Sequence, residues 1–497
     1  MPQRLVSLRM SLSDAERKRV FKARALWEQD KVDEAWEIMQ KLLAEHPFER
    51  DCLYMAGHIY EKANNMPVAY HMFKLATEQD PREASGWLNF GRLAEELWRT
   101  KEAERAYEKA LKLCKRDDTM RCTLGNLAAL CIDNGRYAEA EKWASKALAD
   151  WPDFHGARAN LGFAQLGQGN FAEGWKSYRH NIGTPARTKI QYKDEPEWDG
   201  TPGKTVAIYG EQGIGDEICF ASMIPDAIRD CKQVIMDCDV RLSHLFQRSF
   251  PDAVVYGTRQ ARPNSGALWR KEHREIDASI PSGQIGEYYR TSKEGFPRRP
   301  YLKPDPNRLF MWRALFRSKV RPVIGIAWSG GIPKTGEKFR RCTPEDWAPL
   351  FKSIDAHFVS LQYKSAALEI DKFRANGVDL VEYPFATITN DYDDTAAMVA
   401  AMDCIVGVPT SVIHLGGALG VPTFAMHSKM DCWKYAQGNL FQPVTNVRWA
   451  GSWKDTIAST IEGIKEVCSG SSSDTIPDSR LPITSCNPRL SGIAASP

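Results

Sequence analysis

A glycine-rich segment with an acidic end, residues 209–217 (YGEQGIGDE), is the first place where residue types and spacing can support chemistry. It follows a short apolar run and precedes a helical pattern. Gly213 and Gly215 allow a tight turn and close approach of the backbone to a ligand. Asp216 falls at a helix start, where the helix dipole keeps a carboxylate ionised and able to accept a proton. A helix-capping Asp would give the same pattern.

A basic loop in residues 328–347 (WSGGIPKTGEKFRRCTPEDW) is the second candidate for ligand binding. It begins where an apolar strand pattern ends, and it carries Lys334, Lys338 and Arg341. Glycine backbone N–H groups together with cations suit a diphosphate. A solvated run of charge is the alternative interpretation.

A third motif lies in residues 407–422 (GVPTSVIHLGGALGVP), at another junction of strand and helix. Thr410 and Ser411 mark the helix start, where free N–H groups can face an anion. His414 lies one turn further and can hydrogen-bond a phosphate or a ribose. A histidine with a purely structural role is the alternative.

All three motifs belong to a region in which short β-branched runs alternate with amphipathic segments. This alternation predicts parallel sheets with crossover helices, in a first half at 204–300 and a second half at 320–450. The Pro-rich segment 297–308 separates the halves. We expect 187–203 to be a linker, 277–283 to cross the end of the first sheet, 453–467 to be a helix packed back across the first half, and 469–497 to be a disordered tail.

Small residues recur with a period of 34 at Ala35, Ala69 and Ala103, and again, after a spacing of 37, at Ala140 and Gly174. Small side chains let two antiparallel helices approach closely, and prolines near the end of four of the five units stop the second helix: Pro47, Pro81, Pro152 and Pro185. The segment 13–186 resembles the tetratricopeptide repeat family, with about five helical hairpins. Such an array binds a protein partner, mediates self-association or buttresses its neighbour, and the sequence leaves these open.

The combination of motifs over residues 204–450 resembles the heptosyltransferase-like glycosyltransferases of family 9, including GEQGIGDE, GIAWSGG, DDTAAMVAAMD and TSVIHLGGALGVP. The resemblance implies a GT-B-like pair of Rossmann-type halves that moves a sugar, with inversion, from a nucleoside-diphosphate sugar to a hydroxyl. The acceptor could be a glycan, a lipopolysaccharide or a protein.

The same resemblance assigns roles to individual residues. Asp216 corresponds to the general base. The basic loop and the segment from Thr410 to His414 correspond to the donor site. Pro409 stands where the family usually has Asp.

Two other functions fit the sequence: a tetratricopeptide adaptor with an inactive transferase half, which Pro409 favours, and a nucleotide-sugar epimerase. No cofactor is expected beyond the sugar donor, and no metal, because no convincing acidic DxD pair follows a donor-side strand. The net charge of +3 and the absence of an apolar leader or membrane-length run predict a cytoplasmic protein, at most peripheral at a membrane, without nucleic acid.

Overall fold

The N-terminal part of the computed structural model is a stack of ten helices in five antiparallel pairs. The structure describes residues 12–184, 187, 189–190, 192, 194–259, 272–273, 275–319, 321–331, 337–363, 366–388, 391–428 and 432–470. The helices are α1 (Asp14–Glu28), α2 (Val32–Glu45), α3 (Arg50–Lys62), α4 (Met66–Gln79), α5 (Ala84–Glu96), α6 (Thr100–Leu113), α7 (Asp118–Asp133), α8 (Tyr137–Asp150), α9 (His155–Gln168) and α10 (Phe171–Tyr178).

The predicted helical repeat is confirmed, and the small residues lie where helices touch. A Cβ added to Gly91 would come within 2.7 Å of the Tyr107 ring, and one added to Gly162 would meet the backbone of Tyr178 at 2.5 Å. Ala69 and Ala103 are fully buried. The periodic small residues therefore set the spacing of the helices, as the sequence indicates.

The first sheet of the α/β region has four parallel strands in the order β3-β2-β1-β4. Its elements are β1 (Thr205–Tyr209), α11 (Ile214–Phe220), α12 (Ile224–Asp230), β2 (Gln233–Asp237), α13 (Ser243–Ser249), β3 (Ala253–Tyr256), β4 (Ala278–Pro281) and α14 (Gly286–Tyr289). The prediction that 277–283 crosses the sheet end is wrong, because β4 pairs in parallel with β1, with Val206 opposite Ala278.

The second sheet has six parallel strands in the order β10-β9-β8-β5-β6-β7. Its elements are α15 (Pro306–Arg317), β5 (Val323–Ala327), α16 (Ala348–Ser353), β6 (His357–Ser360), α17 (Ala367–Ala375), β7 (Leu380–Glu382), α18 (Pro384–Thr387), α19 (Tyr392–Ala400), β8 (Cys404–Gly407), α20 (Ser411–Leu419), β9 (Thr423–Met426), α21 (Trp433–Ala436) and β10 (Thr445–Val447). The predicted mixture of parallel sheets and helices is confirmed.

The C-terminal helical segment differs from the expectation in two respects. It forms two helices, α22 (Trp453–Ala458) and α23 (Ile461–Cys468). Ile457 and Ile464 are buried with residues of the second sheet, so these helices cover the second half and not the first. The tail predicted to be disordered lies outside the described residues, apart from Ser469 and Gly470.

The described residues of the segment predicted as a linker pack against the first sheet. Trp198 is buried, its backbone N–H donates to the Ser279 carbonyl, and the Ser279 N–H donates to the Pro196 carbonyl, both at 3.0 Å. Arg187, also buried, contacts Glu211 at 3.2 Å. These contacts extend the edge of β4 and fix the solenoid to the first half. Within the described residues, no helix has both the length and the apolar character needed to cross a bilayer.

The last helical pair shares one apolar core with the α/β region. Trp175 of α10 is fully buried, donates from Nε1 to the Arg290 carbonyl at 2.9 Å, and meets the Trp433 ring at 5.5 Å. A Cβ on Gly286 would come within 2.6 Å of the Trp175 ring. The final repeat is thus a structural layer of the α/β region.

We expect Trp175→Ala to lower the free energy of unfolding by about 3–5 kcal/mol, because it leaves a large cavity in this shared core. Urea unfolding followed by circular dichroism and tryptophan fluorescence measures the change. Trp27→Ala, in the first helix of the array, is the matched control and should affect only the terminal repeats. Equal free energies of unfolding of the α/β region in wild type and Trp175→Ala would contradict the shared core.

Candidate functional site

The first motif forms the junction from β1 to α11. Gly213 is the residue before the helix, and its extended backbone (φ −73°, ψ 163°) turns the chain into Ile214. Asp216 is the third residue of α11, and the backbone N–H of Gly213 helps to stabilise its carboxylate. Asp216 lies at the helix start, as the sequence predicts. The N-cap residue of α11 is Gly213, not Asp216. Asp216 acts at the helix start only through the hydrogen bond between its carboxylate and the Gly213 backbone N–H.

The carboxylate of Asp216 forms an ion pair with Lys434, which lies on the short helix α21 of the second half. The Asp216 side chain is 25% exposed and that of Lys434 is 12% exposed. Burial alone would raise the pKa of Asp216, but the Lys434 ammonium outweighs it and the pKa lies below its ordinary value. Asp216 is therefore ionised at neutral pH, and its ion pair with Lys434 joins the two halves.

The third motif meets the first at this point. Thr410 precedes α20 as its N-terminal cap, and Ser411 is the first helical residue. A Cβ added to Gly215 would lie 3.4 Å from the Ser411 Cα and 3.4 Å from the His414 ring. The N-terminal turns of α11 and α20 therefore lie side by side, one from each half. Gly215 lies at this contact between the two helices.

His414 is buried and both of its ring nitrogens have partners. Its Nδ1 lies 3.1 Å from Gln442 Oε1, and its Nε2 lies 2.8 Å from the Tyr435 hydroxyl. The amide oxygen can only accept, so Nδ1 carries the proton and Nε2 accepts from Tyr435. Burial and then the nearby Lys434 ammonium lower the pKa of His414 to about 4. The ring is neutral, and its contacts favour positioning of α20 over direct ligand contact.

The hydroxyls at the start of α20 differ in their environments. Ser411 Oγ accepts from the Tyr392 hydroxyl at 2.8 Å. The Thr410 Oγ1 is a buried atom that has no hydrogen-bond partner among the described residues. Gly330, from the beginning of the basic loop, lies against Thr410, and a Cβ there would clash with the Thr410 methyl. The α20 start thus presents free backbone N–H groups and one free hydroxyl beside the loop that follows β5.

The cations predicted to bind a diphosphate are not gathered at this junction. Lys334 lies outside the described residues. Lys338 Nζ donates to the Leu97 carbonyl of the solenoid at 3.2 Å, and Arg341 pairs with Glu369 of α17 at 2.6 Å. Both contacts are long-range, so the sequence spacing could not reveal them. Lys434 pairs with Asp216 at the junction, and no sequence motif singles it out.

The acidic neighbours of Asp216 face the interior of the first half. Glu211 accepts from Ser282 Oγ at 3.0 Å and from the Gly283 N–H at 3.2 Å. Glu217 accepts from the Asp239 N–H at 2.9 Å, and burial raises its pKa to about 8. The Glu217 contact reaches the residues after β2, whereas Asp216 faces α21 and α20. Asp216 is therefore the acid placed between the halves.

Comparison with known proteins identifies the helical part of the chain. Residues 84–117 match the tetratricopeptide repeat model. The solenoid is of the tetratricopeptide type. The chain is 30% identical over 321 residues to the protein FlbA of Caulobacter vibrioides, covering 62% of this chain and 52% of FlbA. A TPR repeat-containing protein of Pseudomonas aeruginosa is 29% identical over 144 residues, which are 29% of this chain and 24% of that protein.

The chain thus spans about half and about a quarter of the lengths of these two relatives. Among solved structures, the match to MamA covers 32% of this chain and 91% of the MamA chain, with 19% identity and a TM-score of 0.29. YrrB, described as a tetratricopeptide-repeat protein with an unusual peptide-binding site, covers 34% and 86%, with 18% identity and a TM-score of 0.29.

We expect the neutral, buried His414 to make stability depend on pH. Its pKa is depressed from an ordinary 6.5 to about 4, so below pH 6.5 the unfolded chain takes up the proton first and stability falls as the pH drops towards 4. The loss attributable to His414 between pH 7.5 and 4.5 is about 2–3 kcal/mol. Urea unfolding of wild type and His414→Gln at both pH values measures it, since the variant lacks this loss.

His71→Gln, at an exposed position of the solenoid, is the control and should keep the wild-type pH dependence. An identical decline in wild type and His414→Gln would show that this ring does not titrate as its surroundings require.

Proposed function

We propose that the chain is a glycosyltransferase of the GT-B type, which moves a sugar from a nucleoside-diphosphate sugar to an acceptor hydroxyl. One observation carries the proposal: the N-terminal turns of α11 and α20, from two different parallel sheets, meet with Asp216 and Lys434 between them. Ligands of open parallel sheets bind at the carboxyl ends of the strands, beside helix N-termini. Both junctions follow such strand ends.

In the proposed site, the donor diphosphate lies at the start of α20. The backbone N–H groups there and the free Thr410 hydroxyl offer hydrogen-bond donors. Lys434 supplies the positive charge that the sequence assigned to Lys334, Lys338 or Arg341. A single compact ammonium offsets the charge that develops on the leaving diphosphate, so no divalent metal is required.

Asp216 takes the acceptor proton in this mechanism. The acceptor oxygen attacks the anomeric carbon, the bond from that carbon to the diphosphate oxygen breaks, and the nucleoside diphosphate leaves with the bonding electrons. The proton of the acceptor hydroxyl passes to Asp216. When Lys434 turns to the diphosphate, Asp216 loses its cationic partner and its pKa rises, which makes it the stronger base at the moment the donor is bound.

The second candidate is an adaptor in which the α/β region no longer transfers sugar. Pro409 in place of the family's usual Asp and the two occupied nitrogens of His414 favour it. The free Thr410 hydroxyl and the ionised Asp216 favour the transferase. A nucleotide-sugar epimerase remains a less supported alternative, and product analysis separates it because an epimerase consumes no acceptor.

Lys434→Met should weaken binding of nucleoside diphosphates by about ten- to a hundred-fold, since a charge-assisted contact contributes about 1.5–3 kcal/mol. Isothermal titration calorimetry with a panel of nucleoside diphosphates measures the affinity of each variant. Arg341→Met, whose guanidinium pairs with Glu369, is the matched control and should bind like wild type. Equal affinities for wild type and Lys434→Met would remove Lys434 from the donor site.

Asp216→Asn should reduce turnover by about a hundred- to ten-thousand-fold, equivalent to about 3–5 kcal/mol of barrier. Nucleotide release from a panel of donor sugars, with cell-extract glycans and proteins as acceptors, measures it. Nucleoside diphosphate affinity should be unchanged or higher, because the substitution frees Lys434. The double variant Asp216→Asn with Lys434→Met removes both charges, and comparing its free energy of unfolding with that of Asp216→Asn tests whether lost activity reflects unfolding. Near-normal turnover of Asp216→Asn would reject the base assignment.

Turnover should persist in excess EDTA, because Lys434 and the α20 start replace a divalent cation. Nucleotide release with and without chelator measures this. Activity abolished by EDTA and restored by manganese would contradict the metal-free mechanism. Acidic side chains not assigned to the site would then have to bind the metal ion.

A further inference from the structure

Helix α15 exposes an apolar face that the fold leaves uncovered. Phe310 and Met311 are each 69% exposed, and Leu315 lies on the same face one turn after Met311. The opposite face, with Trp312 and Phe316, is buried in the core. A helix that buries one apolar face and presents a second one to solvent has more apolar surface than its own fold uses.

A further exposed ring lies on the neighbouring helix α18, which contacts α15 through the buried Trp312. Phe385 is 64% exposed and its ring stacks on Trp312, with centroids 5.7 Å apart. The two helices therefore each present large apolar side chains to solvent. Each of Phe310, Met311 and Phe385 is more than three-fifths exposed.

Charges of both signs border this face, because Asp305 caps the start of α15, but the helix itself carries an excess of cations. Residues 306–319 (PNRLFMWRALFRSK) contain three Arg and one Lys and no acid. Arg308 is neutralised by Asp391 at 2.6 Å and Asp394 at 3.1 Å. Arg317 and Lys319 are exposed, and no ion pair is found for either among the described residues. Uncompensated cations thus border the projecting apolar side chains.

We propose that the outer face of α15, together with Phe385, docks on an anionic lipid surface. Amphipathic helices bind membranes when their large apolar side chains enter the acyl boundary while Lys and Arg contact the headgroups. An anionic bilayer complements both features of this face: the projecting apolar side chains and the unpaired positive charge. A protein partner or a second copy of the chain would have to supply an acidic surface that accepts these apolar side chains.

The surface lies close to the candidate site but does not depend on it. Helix α15 packs against α19, and Tyr392 of α19 donates to Ser411 at the start of α20. A chain docked in this way would hold the junction of the two halves near the bilayer. The proposal concerns binding alone, so it stands or falls separately from the proposed sugar transfer.

Co-sedimentation of the full chain with vesicles tests the proposal. We expect binding to mixed phosphatidylcholine–phosphatidylglycerol vesicles and little binding to phosphatidylcholine alone. Each cation near an anionic surface contributes about 1 kcal/mol, roughly a fivefold change in partitioning, so Arg317→Glu with Lys319→Glu should lower binding by about twenty-five-fold or more. Phe310→Ser with Met311→Ser should reduce it at least as much, and added salt should release the wild type.

The double variant Phe21→Ser with Phe48→Ser is the matched control, because both rings are similarly exposed on the solenoid, and it should bind like wild type. Circular dichroism checks that every variant folds. Equal binding to neutral and anionic vesicles, or binding unaffected by the α15 variants, overturns the proposal. Loss of dimers with the α15 variants, without any vesicle binding by wild type, also overturns it and assigns the face to a second copy.

Discussion

The apolar core shared by α10, α21 and the first half is the constraint on which the candidate site depends. Trp433 packs against Trp175 and Tyr178 of the last repeat, with ring centroids 5.5 and 5.7 Å away. Lys434 is the next residue, so its ammonium is placed by that aromatic contact. Helix α21 has only four residues and could not hold this geometry by itself. The solenoid therefore determines where the second half places its cation.

The electrostatics of the junction follow from its burial. Two largely buried charges are tolerated when they pair, and leaving either alone is strongly unfavourable. A protonated imidazole beside Lys434 would add a second positive charge, but burial and the Lys434 ammonium lower the pKa of His414, so the ring stays neutral. The result is one ammonium, one carboxylate and one neutral ring. In the proposed site, an anionic ligand would compete with Asp216 for this ammonium.

The sequence predicted the elements that rest on local pattern. The period of the small residues predicted the solenoid because each lies at a helix contact, and the turn through Gly213 predicted that Asp216 would begin a helix. The sequence failed where contacts are long-range or elements are short. Lys434 lies 218 residues from Asp216, β10 has three residues, and β4 ends in Pro281, so no periodicity marks them. The sequence predicted Lys338 as a phosphate ligand because it lies in a basic loop. Its contact with the Leu97 carbonyl, 241 residues away, could not be foreseen from local sequence.

The basic loop after β5 also contacts the solenoid, so the solenoid and the α/β region are joined at a second place besides the last repeat. Lys338 and the ring pair of Trp98 with Phe339, whose centroids are 5.1 Å apart, connect the turn after α5 to the segment after β5. That segment begins with Gly330 against Thr410. The solenoid thus contacts the second half at two places, at α21 and at residues 338–339.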